Sequence, residues 1–186
     1  MAPGRVRSFF LRRFASLVSL SCLVFAAALV ATVVHGAAPH DVGTVFFVAK
    51  SENRNQVHYG IHLDAACAPE GASPVFAYWR MLERGPLATE PLLSREVRAY
   101  GVRDQRVLTG GRIEIRLNAL PQRPIVIESA ARGDTCETSA STTIDGVPAS
   151  LANVYAQLRW PVGVEYLMLS GRARGDGRAV RERVAD

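Results

Sequence analysis

After Gly110 and Gly111 the chain reads RIEIRL, which sets Ile113, Ile115 and Leu117 against Arg112, Glu114 and Arg116. Side chains alternate faces along an extended backbone, so this strict period of two buries one face and wets the other only in a β-sheet. The habit recurs along the chain. TVFFVAK (44–50), the polar turn SENRN and VHYGIHLD (57–64) read as a hairpin. PVFAYWRML (74–82) is apolar on both faces, as a strand inside a sheet is. PIVIESA (124–130) alternates again, and VYAQLRW with VEYLMLSG forms a second hairpin. From Leu151 the pattern is double: Leu151, Val154, Tyr155 and Leu158 fit a helix, whereas Ala152, Val154, Ala156 and Leu158 fit a strand. The β-branched and aromatic residues ahead of Pro161 and Gly163 favour the strand. The expected fold is mainly β, an antiparallel β-sandwich or small barrel. One short helix is expected near Thr89–Gly101, with Thr89 as cap, Pro91 in the first turn, Gly101 as stop, and Leu93, Val97 and Tyr100 as the stripe that meets the sheet.

Ahead of this domain, MAPGRVRSFFLRRF carries four arginines and is followed by an uncharged apolar run to Val34. That is the layout of an export signal, with VVHGAA offering cleavage between Gly36 and Ala38. The run is also about 20 residues long, enough to span a bilayer as an uncleaved signal-anchor helix with its arginines in the cytoplasm. Either way the rest of the chain is expected outside the cytoplasm, periplasmic or extracellular, with membrane contact only through this segment. The expected organisation is signal or anchor at 1–37, linker at 38–43, one β-rich domain at 44–171, and a disordered charged tail at 172–186. The tail's Arg-Gly-Asp at 174–176 reads as chance in an Arg- and Gly-rich stretch.

The net charge of +5 belongs mostly to the leader: without Arg5, Arg7, Arg12 and Arg13, 18 basic residues face 17 acidic ones. No later segment interleaves aromatics with a basic stripe, so a nucleic-acid partner is not expected. Cys67 and Cys136 remain beyond the leader, and an oxidising compartment favours pairing them as a disulfide across about 70 residues.

The chemistry-bearing residues are sparse. On the VHYGIHLD strand, His58, Gly60, His62 and Asp64 share one face. His58 and His62 would stand roughly 13 Å apart, too far to hold one ion together, and His62 and Asp64 roughly 7 Å apart. Alternation alone accounts for these residue types on a wet face. Gly60 within the strand implies a bulge or a ring lying over it. No serine has nucleophile-elbow spacing, no glycine loop precedes a helix, and Glu83, Glu90 and Glu96 read as surface charge. No catalytic residue, metal ligand or cofactor is therefore assigned. The candidate ligand face is His62 and Asp64 with Tyr78 and Arg80 from a paired neighbour.

The ordered motifs FFVAKSENRNQVHYG, PVFAYWRMLERG, AYGV (99–102), LPQRPI, IDGVPASLANVYAQL and VEYLMLSG resemble an exported bacterial family, the domain of unknown function four-eight-three-three, over about residues 44–172. The resemblance implies a single exported domain and carries over no activity. The two cysteines are not features of that family, so their pairing rests on compartment and parity. Three functions follow as expectations: a non-catalytic exported domain that binds a small ligand or envelope protein, a small envelope hydrolase using His62 and Asp64, and a structural envelope component.

Overall fold

The computed structural model describes residues 40–159 and 163–185. The expected signal or anchor helix and the turn at Pro161 lie outside the described residues. The described chain is mainly β with one α-helix, as expected. Its strands are β1 (His40–Lys50), β2 (Gln56–Leu63), β3 (Val75–Arg80), β4 (Thr89–Pro91), β5 (Val102–Val107), β6 (Ile113–Leu117), β7 (Leu120–Arg132), β8 (Thr135–Ile144), β9 (Val147–Leu158), β10 (Val164–Ala173) and β11 (Ala179–Ala185), with α1 (Ser94–Tyr100) between β4 and β5.

All of these strands belong to one sheet in the order β4-β3-β2-β1-β9-β8-β7-β6-β5, with β10 and β11 laid along the other edge of β9. The sheet is mixed rather than purely antiparallel, because β1 and β9 run parallel from Phe47↔Asn153 to Lys50↔Ala156. It curls without closing. Where its ends approach, the Gln105 amide of β5 joins them: Oε1 accepts the Val75 N–H of β3 at 2.9 Å and Nε2 donates to the Val75 carbonyl at 3.3 Å. One side chain thus does for the seam what a strand ladder does elsewhere.

The concave face carries the core. Phe46, Val57, Tyr59, Ile61, Leu63, Ile113, Ile115, Leu117, Ile125, Ile127, Val154 and Leu169 are buried there. Tyr59 stacks on Phe46 at 4.5 Å and donates its hydroxyl to the Tyr100 carbonyl at 2.5 Å, which fixes the C-terminal end of α1 over the sheet. Burial raises the Tyr59 phenol far above its usual range, so it stays neutral.

The double pattern at Leu151 has a structural cause. Gly171 of β10 pairs with Leu151 and Ser170 pairs with Asn153, so Ala152 is an extra residue in the ladder. The bulge flips the inward parity of β9 from Leu151 to Val154, and two strand segments joined this way imitate helical spacing. Upstream of the bulge β9 pairs β8, and downstream it pairs β1.

Three boundaries differ from expectation. The segment at 38–43 is not all linker, because β1 pairs with β2 from His40 onward. Thr89 and Pro91 do not open the helix: Thr89–Pro91 is the short edge strand β4, where the missing proline N–H costs no ladder bond. The helix starts after Leu93, whose N–H donates to Glu96 Oε2 at 2.8 Å. Leu93 and Val97 stay 56% and 43% exposed, and only Tyr100 packs inward, edge-on to Trp79. Finally, residues 172–185 are not a disordered tail. Val180 and Val184 alternate inward on β11 while Arg181 and Arg183 point out, and seven backbone pairs join β11 to β10. The Arg-Gly-Asp tripeptide forms the turn between them, with Arg174 paired to Glu128 and Asp176 to Arg178.

The Cys67–Cys136 disulfide is formed, with a sequence separation of 69. It staples the loop after β2 to β8, and Ser129 Oγ donates to the Cys67 carbonyl beside it.

Candidate functional site

The four residues of the expected ligand face do not form one cluster. Asp64 closes a turn, its Oδ1 accepting the Ala66 and Ala68 amides at 2.8 Å each. Arg80 donates Nε to the Pro86 carbonyl at 2.9 Å. His62 lies against Phe76, ring centroids 4.4 Å apart. Tyr78 stands opposite His58 in the β2–β3 ladder.

The polar centre of this face is His58 rather than His62. In β1 the register slips between Val42 and Phe46, so residues 43–45 bulge opposite Gly60. That bulge brings Thr44 and the Gly43 carbonyl over β2. Thr44 Oγ1 lies 2.8 Å from His58 Nδ1, and Gln56 Oε1 lies 2.9 Å from His58 Nε2. Tyr78 donates its hydroxyl to the Gly43 carbonyl and also lies 3.2 Å from Thr44 Oγ1. The Gln56 oxygen can only accept, so the proton sits on Nε2, and the Thr44 hydroxyl donates to a bare Nδ1. A second ring proton would force the Thr44 hydroxyl to turn from donor to acceptor and to give its own proton to the Tyr78 oxygen. Burial, and secondarily the positive charge of Arg80, depress the His58 pKa to about 4. Phe47 and Tyr78 flank the imidazole at 5.4 and 5.7 Å, and Phe76 continues the row of rings to His62. A neutral, fully hydrogen-bonded imidazole under aromatic cover is a structural group. Among the described residues no cluster of His, Cys, Asp or Glu could hold a metal ion.

The opposite face holds the larger opportunity. A cavity of about 740 Å³ opens on the concave side of the sheet. Val48, Val154 and Ala156 from the parallel β1–β9 pair, Leu167 from β10, Leu117 and Leu120 from the β6–β7 turn, and Val184 from β11 give it an apolar lining. The space is a half-open cleft rather than a sealed void, left where the curved sheet is not filled by its own side chains. It falls in the range of small-molecule sites, which are mostly apolar with a few placed polar groups. Those groups here are Asn118, Gln122, Thr142, Thr143, Arg98 and Arg123. Thr142 Oγ1 already donates to the Pro124 carbonyl and Asn118 Nδ2 to the Val97 carbonyl. Arg123 donates to the Thr143 carbonyl and to Glu182, both at 2.5 Å. Glu182 accepts the Asp145 amide with its other oxygen. Burial raises the Glu182 pKa, but that amide and Arg123 outweigh it and hold the carboxyl below its usual value.

Sequence reasoning placed neither His58 nor the cavity residues in a site. A bulge on the partner strand selects His58 over His62, and the cavity is made by curvature, so neither has a one-dimensional signature beyond small residues such as Ala119 and Ala156 at inward positions.

A family model described as a domain of unknown function, DUF4833, matches residues 46–183. No curated protein and no solved structure matches the chain.

Proposed function

The chain belongs to the DUF4833 family, a domain of unknown function, and from that premise we propose that it is an exported, non-catalytic β-domain that binds a lipophilic small molecule at the cell envelope. The cavity of about 740 Å³ on the concave face carries this reading. Its lining is mainly apolar, and of its polar side chains Asn118, Arg123 and Thr142 are already hydrogen-bonded within the protein, which suits binding by burial rather than chemistry. Export is supported by the arginine-rich leader with its apolar run and by the Cys67–Cys136 disulfide, which belongs to an oxidising compartment.

The test is titration of the full chain with the neutral fluorophore N-phenyl-1-naphthylamine, beside the variant Ala156→Phe, whose ring would occupy the cavity. Saturable one-site binding that weakens at least tenfold in Ala156→Phe, with the circular dichroism spectrum retained, is the expected result. Leu167→Trp serves the same purpose from the neighbouring strand β10, where it pairs with Ala156, should Ala156→Phe fold poorly. Absence of saturable binding, or equal binding by a folded cavity-filled variant, refutes the proposal. Cell fractionation with thiol labelling tests export: both cysteines should resist labelling until reduced.

A further inference from the structure

We propose that the molecule held in the cavity is a single alkyl chain ending in a carboxylate, with the carboxylate paired to Arg98; this rests on the cavity reading above. The charge distribution around the apolar space is the ground for it. Two charged side chains line the cavity, Arg98 and Arg123. Arg123 is neutralised by Glu182, and both Glu182 oxygens are taken, one by Arg123 and the other by the Asp145 amide. Among the described residues Arg98 makes no ion pair.

Nor does the Val97 carbonyl at the end of α1 take its donors. Arg98 lies in the last turn, where a cation is favoured by the carbonyls of the helix end. The adjacent Val97 carbonyl, however, already accepts the Gly101 amide at 2.8 Å and Asn118 Nδ2 at 2.9 Å. Arg98 is exposed beside the apolar part of the lining, and its guanidinium is a planar fork of donors matched to a carboxylate. An apolar chain in the cavity with its anionic head at Arg98 satisfies both features at once. A neutral chain would leave the guanidinium uncompensated, and a cationic head would oppose it.

The experiment displaces N-phenyl-1-naphthylamine from the full chain with three ligands of equal chain length: dodecanoate, 1-dodecanol and dodecyltrimethylammonium. In the wild type dodecanoate should compete at least tenfold better than 1-dodecanol, equivalent to about 1.4 kcal/mol, and the ammonium compound worst. Within Arg98→Gln the ratio of dodecanoate to dodecanol affinity should fall to about one, and Arg98→Lys should keep part of the preference. Raising the salt concentration should narrow the wild-type ratio, since the pair is exposed. Equal competition by dodecanoate and dodecanol in the wild type, or a preference that survives in Arg98→Gln, overturns the carboxylate assignment while leaving the cavity as a binding site. Failure of the reporter and of all three ligands to bind overturns both.

Discussion

His58 makes stability depend on pH in a window where few side chains titrate. Its pKa is depressed to about 4 in the folded protein, by burial first and by Arg80 second, against 6.5 for the free side chain. Below pH 6.5 the unfolded chain takes up a proton that the folded chain refuses, so stability falls as pH falls, and the loss levels off below about pH 4. Each pH unit inside this window is worth about 1.4 kcal/mol, which gives a loss of about 2 kcal/mol at pH 5 and about 3 kcal/mol near pH 4. The residue is only 7% exposed, but its ring lies near the outer surface of the sheet, so partial solvent screening makes these figures upper values. Glu96 and Glu182, whose folded pKa values are also lowered, destabilise in the same direction as they protonate, so the His58 share must be taken by difference. Urea denaturation of the wild type and of His58→Gln across pH 4.5–7.5 provides it. The wild-type curve should fall by about 2 kcal/mol more than the variant's between pH 7 and pH 5. Arg80→Gln should shrink the difference without removing it, because burial is the larger cause. Parallel curves for wild type and His58→Gln would refute the reasoning, since they would mean that the folded protein protonates this ring freely.

Three further outcomes follow from the fold. Replacing both Cys67 and Cys136 with alanine releases a closure of 69 residues and should lower stability by about 4 kcal/mol on the chain-entropy account, read from the denaturant midpoint of the oxidised protein against the variant. Gln105→Leu should leave the buried Val75 amide without its acceptor, costing about 1–3 kcal/mol and speeding hydrogen exchange at Val75 more than at amides within the β6–β7 ladder. Gly171→Ala should be worse than its size suggests, because a Cβ there collides with the Ser150 carbonyl across the β9–β10 ladder and comes within 2.8 Å of Ile144 Cδ1; a loss of about 3 kcal/mol is expected, and a drop under 1 kcal/mol in thermal or urea unfolding would contradict it.

The sheet was legible because its alternation is strict where one face is buried. Ile113, Ile115 and Leu117 read correctly from three residues, since nothing but a half-wet strand produces that order. Legibility failed where local irregularity imitates another pattern. At Ala152 one inserted residue turned two strand periods into a helical one. In residues 172–185 the charges that looked like disorder belong to the end of β10, the turn and the outward positions Arg181 and Arg183 of β11, and the inward half of β11 is only Val180, Glu182 and Val184, too short a run to stand out. At Thr89 and Pro91 good helix-start residues were claimed by an edge strand, whose pairing with β3 is a tertiary fact that propensity does not contain. The candidate face was half legible: the ladder does oppose β2 and β3, but register pairs Tyr78 with His58, four residues short of His62, and the β1 bulge covers His58. The parallel β1–β9 pairing joins segments more than a hundred residues apart, and the cavity it helps to line depends on it.

The same pairing makes a last expectation sharp. β1 sits between β2 and β9, so His58 and Ala156 lie two strand spacings and three residues of register apart, about 14 Å, and on opposite faces of the sheet. Phe47 points to the imidazole while Val48, the next residue, lines the cavity. Period two therefore keeps the hydrogen-bonded outer face and the apolar inner face separate on one backbone. If so, the stability changes of His58→Gln and Ala156→Phe should add in the double variant within about 0.5 kcal/mol, and the naphthylamine affinity of His58→Gln should match the wild type at pH 7. A coupling above about 1 kcal/mol would show that β1 shifts as a body when either face is disturbed, and the bulge at residues 43–45, which hangs Thr44 over the imidazole, is the element that would have to move.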